Sequence, residues 1–235
     1  MRAHPGFRNV SILGIALLGT AVGLSAASFV AAGAGAATSG SPDTARQKRA
    51  DFGGEPASSQ ARHTADWAVQ TGDHKGRPFI VLDKVGAKLF AFDKSGKLVR
   101  ATPVLLGMGI GDTFPPGVID MNMNATLPSQ RITPAGRFEA EEGENLVGQK
   151  VLWVDYDAAI AIHRLPARKT AQRRHERLAS PSPADNRITY GCINVPPWFY
   201  DVVIKRYFSS AGGIVYVLPE RRSATTVFGS YEGGR

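Results

Sequence analysis

The 235-residue sequence predicts a mainly β domain with one or two short helices. Three observations lead there. Short runs of β-branched and aromatic residues recur, each bounded by Gly, Ser, Pro or Asp. One C-terminal stretch, 195–210, repeats large apolar residues at helical spacing. Both ends of the chain lack such patterns, which confines the compact part to residues 77–219, a length sufficient to bury a core.

At the N-terminus, Arg2 and Arg8 precede the apolar run "SILGIALLGTAVGLSAASFV", and the small residues "AAGAGAAT" come after it. A basic start, an apolar middle and a small-residue end read as a secretory signal peptide over 1–36. Left uncleaved, this stretch is long enough to anchor in a bilayer, which would bring membrane contact. Residues 37–76 are polar and rich in Gly, Ser and Ala, the composition of a flexible tether. "PFIVLDK", "AKLFAFDK" and "GKLVRATPVLLG" then read as an antiparallel meander. The span 107–138 is full of Gly and Pro and reads as a long loop, a kind that often carries function. "KVLWVDY" and "AAIAIHRL" make a hairpin turning near Asp157, and "KTAQRRHERL" a short basic helix. In "VPPWFYDVVIKRYFSS", Pro196 and Pro197 suit a first helical turn, and Phe199, Val202, Val203, Tyr207 and Phe208 form its core face. "GGIVYVLP" is the last strand, and 220–235 a flexible tail.

The net charge of +8 falls by two when Arg2 and Arg8 leave with the signal. A basic surface favours anionic partners. The charges are scattered, no aromatic-basic motif is present, and export argues against nucleic acid. Cys192 is the only cysteine. In an exported chain such a thiol is an intermolecular link, an inert buried group or a nucleophile. Thr189, Gly191 and Asn194 surround it, and a helix start lies just beyond. A helix N-terminus lowers the pKa of a nearby thiol, so the setting points to a thiolate nucleophile.

A thiol nucleophile needs a base. Of the five histidines, His4 leaves with the signal, and His63 and His74 fall in the tether. His163 ends a strand 29 positions before Cys192, where packing can fix its ring. His175 stands 17 positions before it, among Arg173, Arg174 and Arg177, whose charge opposes protonation of a nearby imidazole. No His, Cys and Asp cluster has ligand spacing, so neither metal nor cofactor is expected.

"AIAIHRL" followed by "RITYGCINVP" resembles the L,D-transpeptidase catalytic domain, the YkuD family. That family carries Ser/Thr-His-Gly-Cys, then an apolar residue and Arg or Asn. Thr189, Gly191, Cys192, Ile193 and Asn194 match this signature, and "RITPAGRF" resembles the family's Thr-Pro-x-Gly-x-Phe segment. The likeness spans 77–219, implies a β-sandwich of the L,D-transpeptidase kind, and departs at two points. Tyr190 replaces the signature His, and the His163–Cys192 spacer is about a dozen residues longer than usual, leaving 165–187 as an insertion. The resemblance implies an envelope or periplasmic enzyme that cross-links peptidoglycan stem peptides through a Cys192 thioester. His163 would be the base, oriented by the Arg164 carbonyl, with His175 as its rival. The backbone N–H groups of Tyr190, Gly191 and Cys192 would form the oxyanion hole. Thr189, Arg187 and Asn194 would bind substrate or shape the loop, and the enzyme would be monomeric. Two other readings stay open, a hydrolase on the same scaffold and an inactive wall-binding module.

Overall fold

The computed structural model describes residues 48–114, 125–166 and 172–229. The expected signal segment lies outside them. The chain divides into two units, Met1–Asp43 and Thr44–Arg235, and everything described belongs to the second.

The fold is mainly β, as the strand-rich pattern predicts. Among the described residues ten strands form: β1 Phe79–Asp83, β2 Lys88–Phe92, β3 Leu98–Pro103, β4 Leu106–Gly107, β5 Gly136–Glu144, β6 Lys150–Asp155, β7 Ile160–Arg164, β8 Arg187–Thr189, β9 Ile193–Val195 and β10 Gly213–Val217. Eight of them make one sheet in the order β3-β2-β1-β10-β5-β6-β7-β9, and β4 pairs with β8 apart from it. The sandwich arises because β5 is shared. Its first half pairs with β10 and its second with β6, which links two sub-sheets through one strand. Ile80 and Leu82 of β1 share a core cluster with Ile162 of β7, Ile193 of β9, and Phe199, Val203 and Phe208 from the helix at 197–208. β1 pairs parallel with β10, and β7 parallel with β9, so each of these pairings joins segments distant in sequence.

Among the described residues four α-helices accompany the sheet: α1 Ser59–Thr71, α2 Arg174–Ala179, α3 over 197–208, and α4 Ala224–Phe228. α3 relaxes into a π-helical turn at Tyr200–Ile204. Its buried face holds Phe199, Tyr200, Val203, Ile204 and Phe208, whereas Val202, expected inside, is exposed.

α1 corrects the tether expectation for 37–76. Ser58 caps the helix by accepting from the Ala61 N–H, and Gly72 closes it in the left-handed region at φ 70°. Ala61, Ala65, Ala68 and Trp67 are buried in a second cluster with Phe79, Phe92, Tyr216 and Phe228. Alanines at helical spacing contribute little apolar contrast, so the segment reads as polar until its sheet partner is present. His74, also assigned to the tether, is buried, with Nδ1 3.0 Å from the Arg77 carbonyl oxygen. Of the expected flexible tail, 220–229 are among the described residues, and Phe228 of α4 stacks on Trp67 there. Among the described residues no helix is long and apolar enough to cross a membrane.

A buried ionic hub fixes the long loop and the tail. Lys84 is 1% exposed, and its ammonium donates to the Gly111 carbonyl at 2.5 Å, the Thr133 carbonyl at 3.0 Å and Asp112 Oδ1 at 2.9 Å. Asp112 also accepts the N–H groups of Glu220, Arg221 and Arg222. Burial works to raise the Asp112 pKa, but these donors outweigh it and hold the carboxyl at about 2. Its folded value lies below the ordinary 3.8, so its stabilisation is complete above about pH 4 and is lost as pH falls through about 2. Urea denaturation of the wild type should therefore show falling stability across that window. Asp112→Asn, which leaves Lys84 short of a counter-charge, should cost about 3 kcal/mol at neutral pH and flatten the acid-side slope.

Candidate active site

The site forms where β7 and β9 run parallel, with His163 opposite Asn194 and Ile162 opposite Ile193. Side chains alternate along a strand. Ile162, Ile193 and Val195 therefore enter the core, His163 and Asn194 occupy the other face together, and Cys192 directly precedes β9. Leu105 exchanges backbone hydrogen bonds with Asn194 on the far side of β9, which fixes that strand from both edges.

His163 Nδ1 lies 3.1 Å from the Arg164 carbonyl oxygen. A carbonyl only accepts, so Nδ1 carries the proton and Nε2 is the basic nitrogen. Asn194 Nδ2 stands 2.9 Å from Nε2 and 3.3 Å from Nδ1. An in-plane position so close to both nitrogens would collide with the carbon between them. The amide therefore rests over the ring face and leaves the in-plane lone pair of Nε2 available. Asn194 is fully buried, and its Oδ1 accepts from Arg174 Nη1 at 2.8 Å.

The thiol departs from expectation. Cys192 is partly exposed, and its S–H donates to the Ala159 carbonyl at 3.4 Å. Burial pushes the thiol pKa up, and a backbone hydrogen bond from Ala161 and the charge of Arg174 only partly offset it. The expected helix effect is absent because β9 intervenes. It carries the chain about 10 Å before α3 begins. Burial also lowers the His163 pKa, the bond to the Arg164 carbonyl opposes that, and Arg174 adds to the lowering. Thiol and imidazole thus both favour their neutral forms.

The turn before the thiol is held by hydroxyls. Thr189 Oγ1 donates to the Cys192 carbonyl at 2.6 Å and accepts the Gly191 N–H at 3.1 Å. This corrects two expectations. The Gly191 N–H is engaged and leaves the oxyanion set, and Thr189 is a buried staple with no free hydroxyl for substrate. Gly191 sits at φ +134°, and a Cβ there would meet the Ile132 carbonyl oxygen at 2.8 Å, so glycine is required.

Arg187 points elsewhere as well. Its guanidinium donates to Glu220 at 2.6 Å and to the Lys84 carbonyl at 2.9 Å, closing the ionic hub. His175 is exposed, with Nε2 2.9 Å from the Pro166 carbonyl oxygen. Tyr190 lies under the Arg131 guanidinium, 3.9 Å from ring centroid to Cζ. Among the described residues no group of three His, Cys, Asp or Glu could hold a metal ion.

Two residues that the sequence left unassigned prove central. Thr133 is fully buried; its hydroxyl donates to the Gly191 carbonyl at 2.8 Å and accepts the Gly107 N–H at 3.0 Å. The motif "RITPAGRF" was its only signal. Arg174 carried no signal, because nothing in a run of arginines says which one turns inward.

No family model and no curated protein matches the chain. Solved structures similar to it include an L,D-transpeptidase (residues 123–326) from Xylanimonas cellulosilytica at 14% identity and a TM-score of 0.40, with 60% of each chain covered. The catalytic domain of an Enterococcus faecium L,D-transpeptidase is similar at 17% identity and TM-score 0.37, over 61% of this chain and 98% of that one. An L,D-transpeptidase from Mycobacterium smegmatis is similar at 17% and 0.34, over 60% and 58%. The chain thus spans about 60% of the first of these. Superpositions this loose carry no functional weight, so a function must rest on the site's own residues.

Thr133→Val keeps the shape of the side chain and removes both hydrogen bonds, leaving the Gly191 carbonyl and the Gly107 N–H buried and unpaired. The expected loss is about 2 kcal/mol in chemical denaturation. Alkylation of Cys192 by iodoacetamide should change by more than stability explains, because the turn that aims the thiol loses its tie.

Proposed function

We propose that this chain is an exported cysteine L,D-transpeptidase acting on peptidoglycan stem peptides in the cell envelope. The observation that supports the reading is the pairing of His163 with Asn194 on one sheet face, with Cys192 directly before that strand and His163 Nδ1 held by the Arg164 carbonyl. The sequence resemblance at 131–138 and 187–196 supplies the substrate class.

Cys192 Sγ attacks the carbonyl carbon of the diamino acid at stem position three. As the C–S bond forms, the thiol proton passes to His163 Nε2. The resting pair is neutral, so this transfer accompanies the attack. The backbone N–H groups of Tyr190 and Cys192 are the donors for the oxyanion, each worth about 3–4 kcal/mol where such donors have been removed. The C–N bond then breaks, and the terminal D-Ala leaves with the proton from His163. An acceptor amine attacks the thioester and returns a proton through the imidazole, and Cys192 is regenerated as the thiol. One amide replaces another, so the reaction balances without an oxidant or reductant. Water in place of the amine would give the hydrolase outcome.

Incubation of the mature protein with a carbapenem should add one drug mass, lost in Cys192→Ala, because thioester-forming enzymes of the family that the sequence resembles are acylated by that class. An unmodified intact mass at millimolar drug would leave the inactive wall-binding module as the better reading.

His163→Ala should slow acylation about a hundredfold or more, and His175→Ala by less than about tenfold. Thermal melts must first show both variants folded. A dead His175 variant would transfer the base to α2 and overturn the assignment.

A further inference from the structure

Arg174 is half-buried beside the nucleophile, and its charge is not neutralised. Its Nη1 donates to Asn194 Oδ1 at 2.8 Å, and its Nε to Gln172 Oε1 at 2.7 Å. Among the described residues no carboxylate pairs with it. Three other arginines are matched, Arg164 with Asp201, Arg173 with Glu176, and Arg187 with Glu220, whereas Arg177, among the described residues, donates only to the Gln172 and Asp185 backbone carbonyls. Cys192 and Tyr190 are its electrostatic neighbours, and burial alone depresses even its guanidinium. The second guanidinium of the site, Arg131, is spent on the Tyr190 ring and the Thr126 carbonyl.

A cation in this position does little for proton transfer from Cys192 to His163. It disfavours the imidazolium as it favours the thiolate, and the pair stays neutral overall. Its charge acts on a third group that is itself anionic. A planar guanidinium with one edge anchored on Asn194 can present its remaining N–H groups to a carboxylate in a two-point contact.

We infer that Arg174, the first residue of α2, is a specificity residue that binds a carboxylate of the acyl donor beside Cys192. In a stem peptide, that group is either the carboxylate of the leaving residue, three bonds from the scissile carbonyl carbon, or one on the side chain of residue three. The inference rests on the transpeptidase reading for the identity of the donor. The presence of an anion site at the thiol stands independently of turnover.

The test uses the single thiol. Iodoacetate and iodoacetamide alkylate Cys192 by the same displacement of iodide and differ in charge. In the native protein the iodoacetate-to-iodoacetamide rate ratio should exceed the ratio for the urea-unfolded chain by about tenfold or more. Arg174→Gln should abolish the excess, Arg174→Lys should keep most of it, and Arg177→Gln, which removes a charge from the same helix, should leave it within about twofold. A native ratio equal to the unfolded one overturns the inference, whether or not the Gln variant folds. An equal fall in Arg177→Gln overturns it too, because only the general field would then be at work. Protection of Cys192 from iodoacetamide by a stem tetrapeptide then identifies the source. Weaker protection by the C-terminal amide assigns the leaving residue, and weaker protection by the side-chain amide assigns residue three. Equal protection by both amides and the free peptide excludes a carboxylate of the donor. If the rate ratio behaves as expected and no peptide protects, the anion site stands and the transpeptidase reading fails.

Discussion

One buried ammonium holds the working parts of this fold in register. Lys84 comes directly after β1 and turns into the interior, where Asp112, Glu220 and two carbonyls must satisfy it. A buried charge is tolerated only when every partner is in place, so the hub is strict about geometry. Its partners come from the start of the long loop, from Thr133 and from the C-terminal extension. The Thr133 carbonyl accepts from Lys84 and its hydroxyl donates to Gly191. One residue therefore separates the charge hub from the turn that aims Cys192. Arg187 ties the other approach to that turn, through Glu220 and the Lys84 carbonyl.

Within the site, burial outweighs charge. It raises the thiol and lowers the imidazole, so both rest neutral. A preformed thiolate–imidazolium pair would need more solvation than this sheet face provides. What the fold supplies instead is orientation. The Arg164 carbonyl sets the tautomer, the Asn194 amide supports the ring face, and Arg174 sets which way that amide points.

Much of the β architecture was legible in the sequence because strands built from "FIVLD", "KLFAF" and "GIVYV" carry their own propensity and boundaries. The β6–β7 hairpin was legible for the same reason. His163 separated from His175 because an apolar strand precedes one and arginines surround the other. α1 was not legible, since its buried face is mostly alanine. The engagement of Thr189 and of the Gly191 N–H was not legible either, since a hydroxyl does not reveal its partner before the chain turns.

The sequence by itself determined β1–β3, β6, β7 and β10, the single thiol and the residue types able to serve it. Each comes from local propensity or from counting. Only the tertiary structure decided that β7 and β9 lie side by side, which sets His163 against Asn194. It alone decided that Arg187 belongs to a charge hub and that Arg174 reaches Asn194 and the charge neighbourhood of Cys192. Parallel pairing and burial join residues far apart in the chain, and their energies depend on what surrounds a side chain.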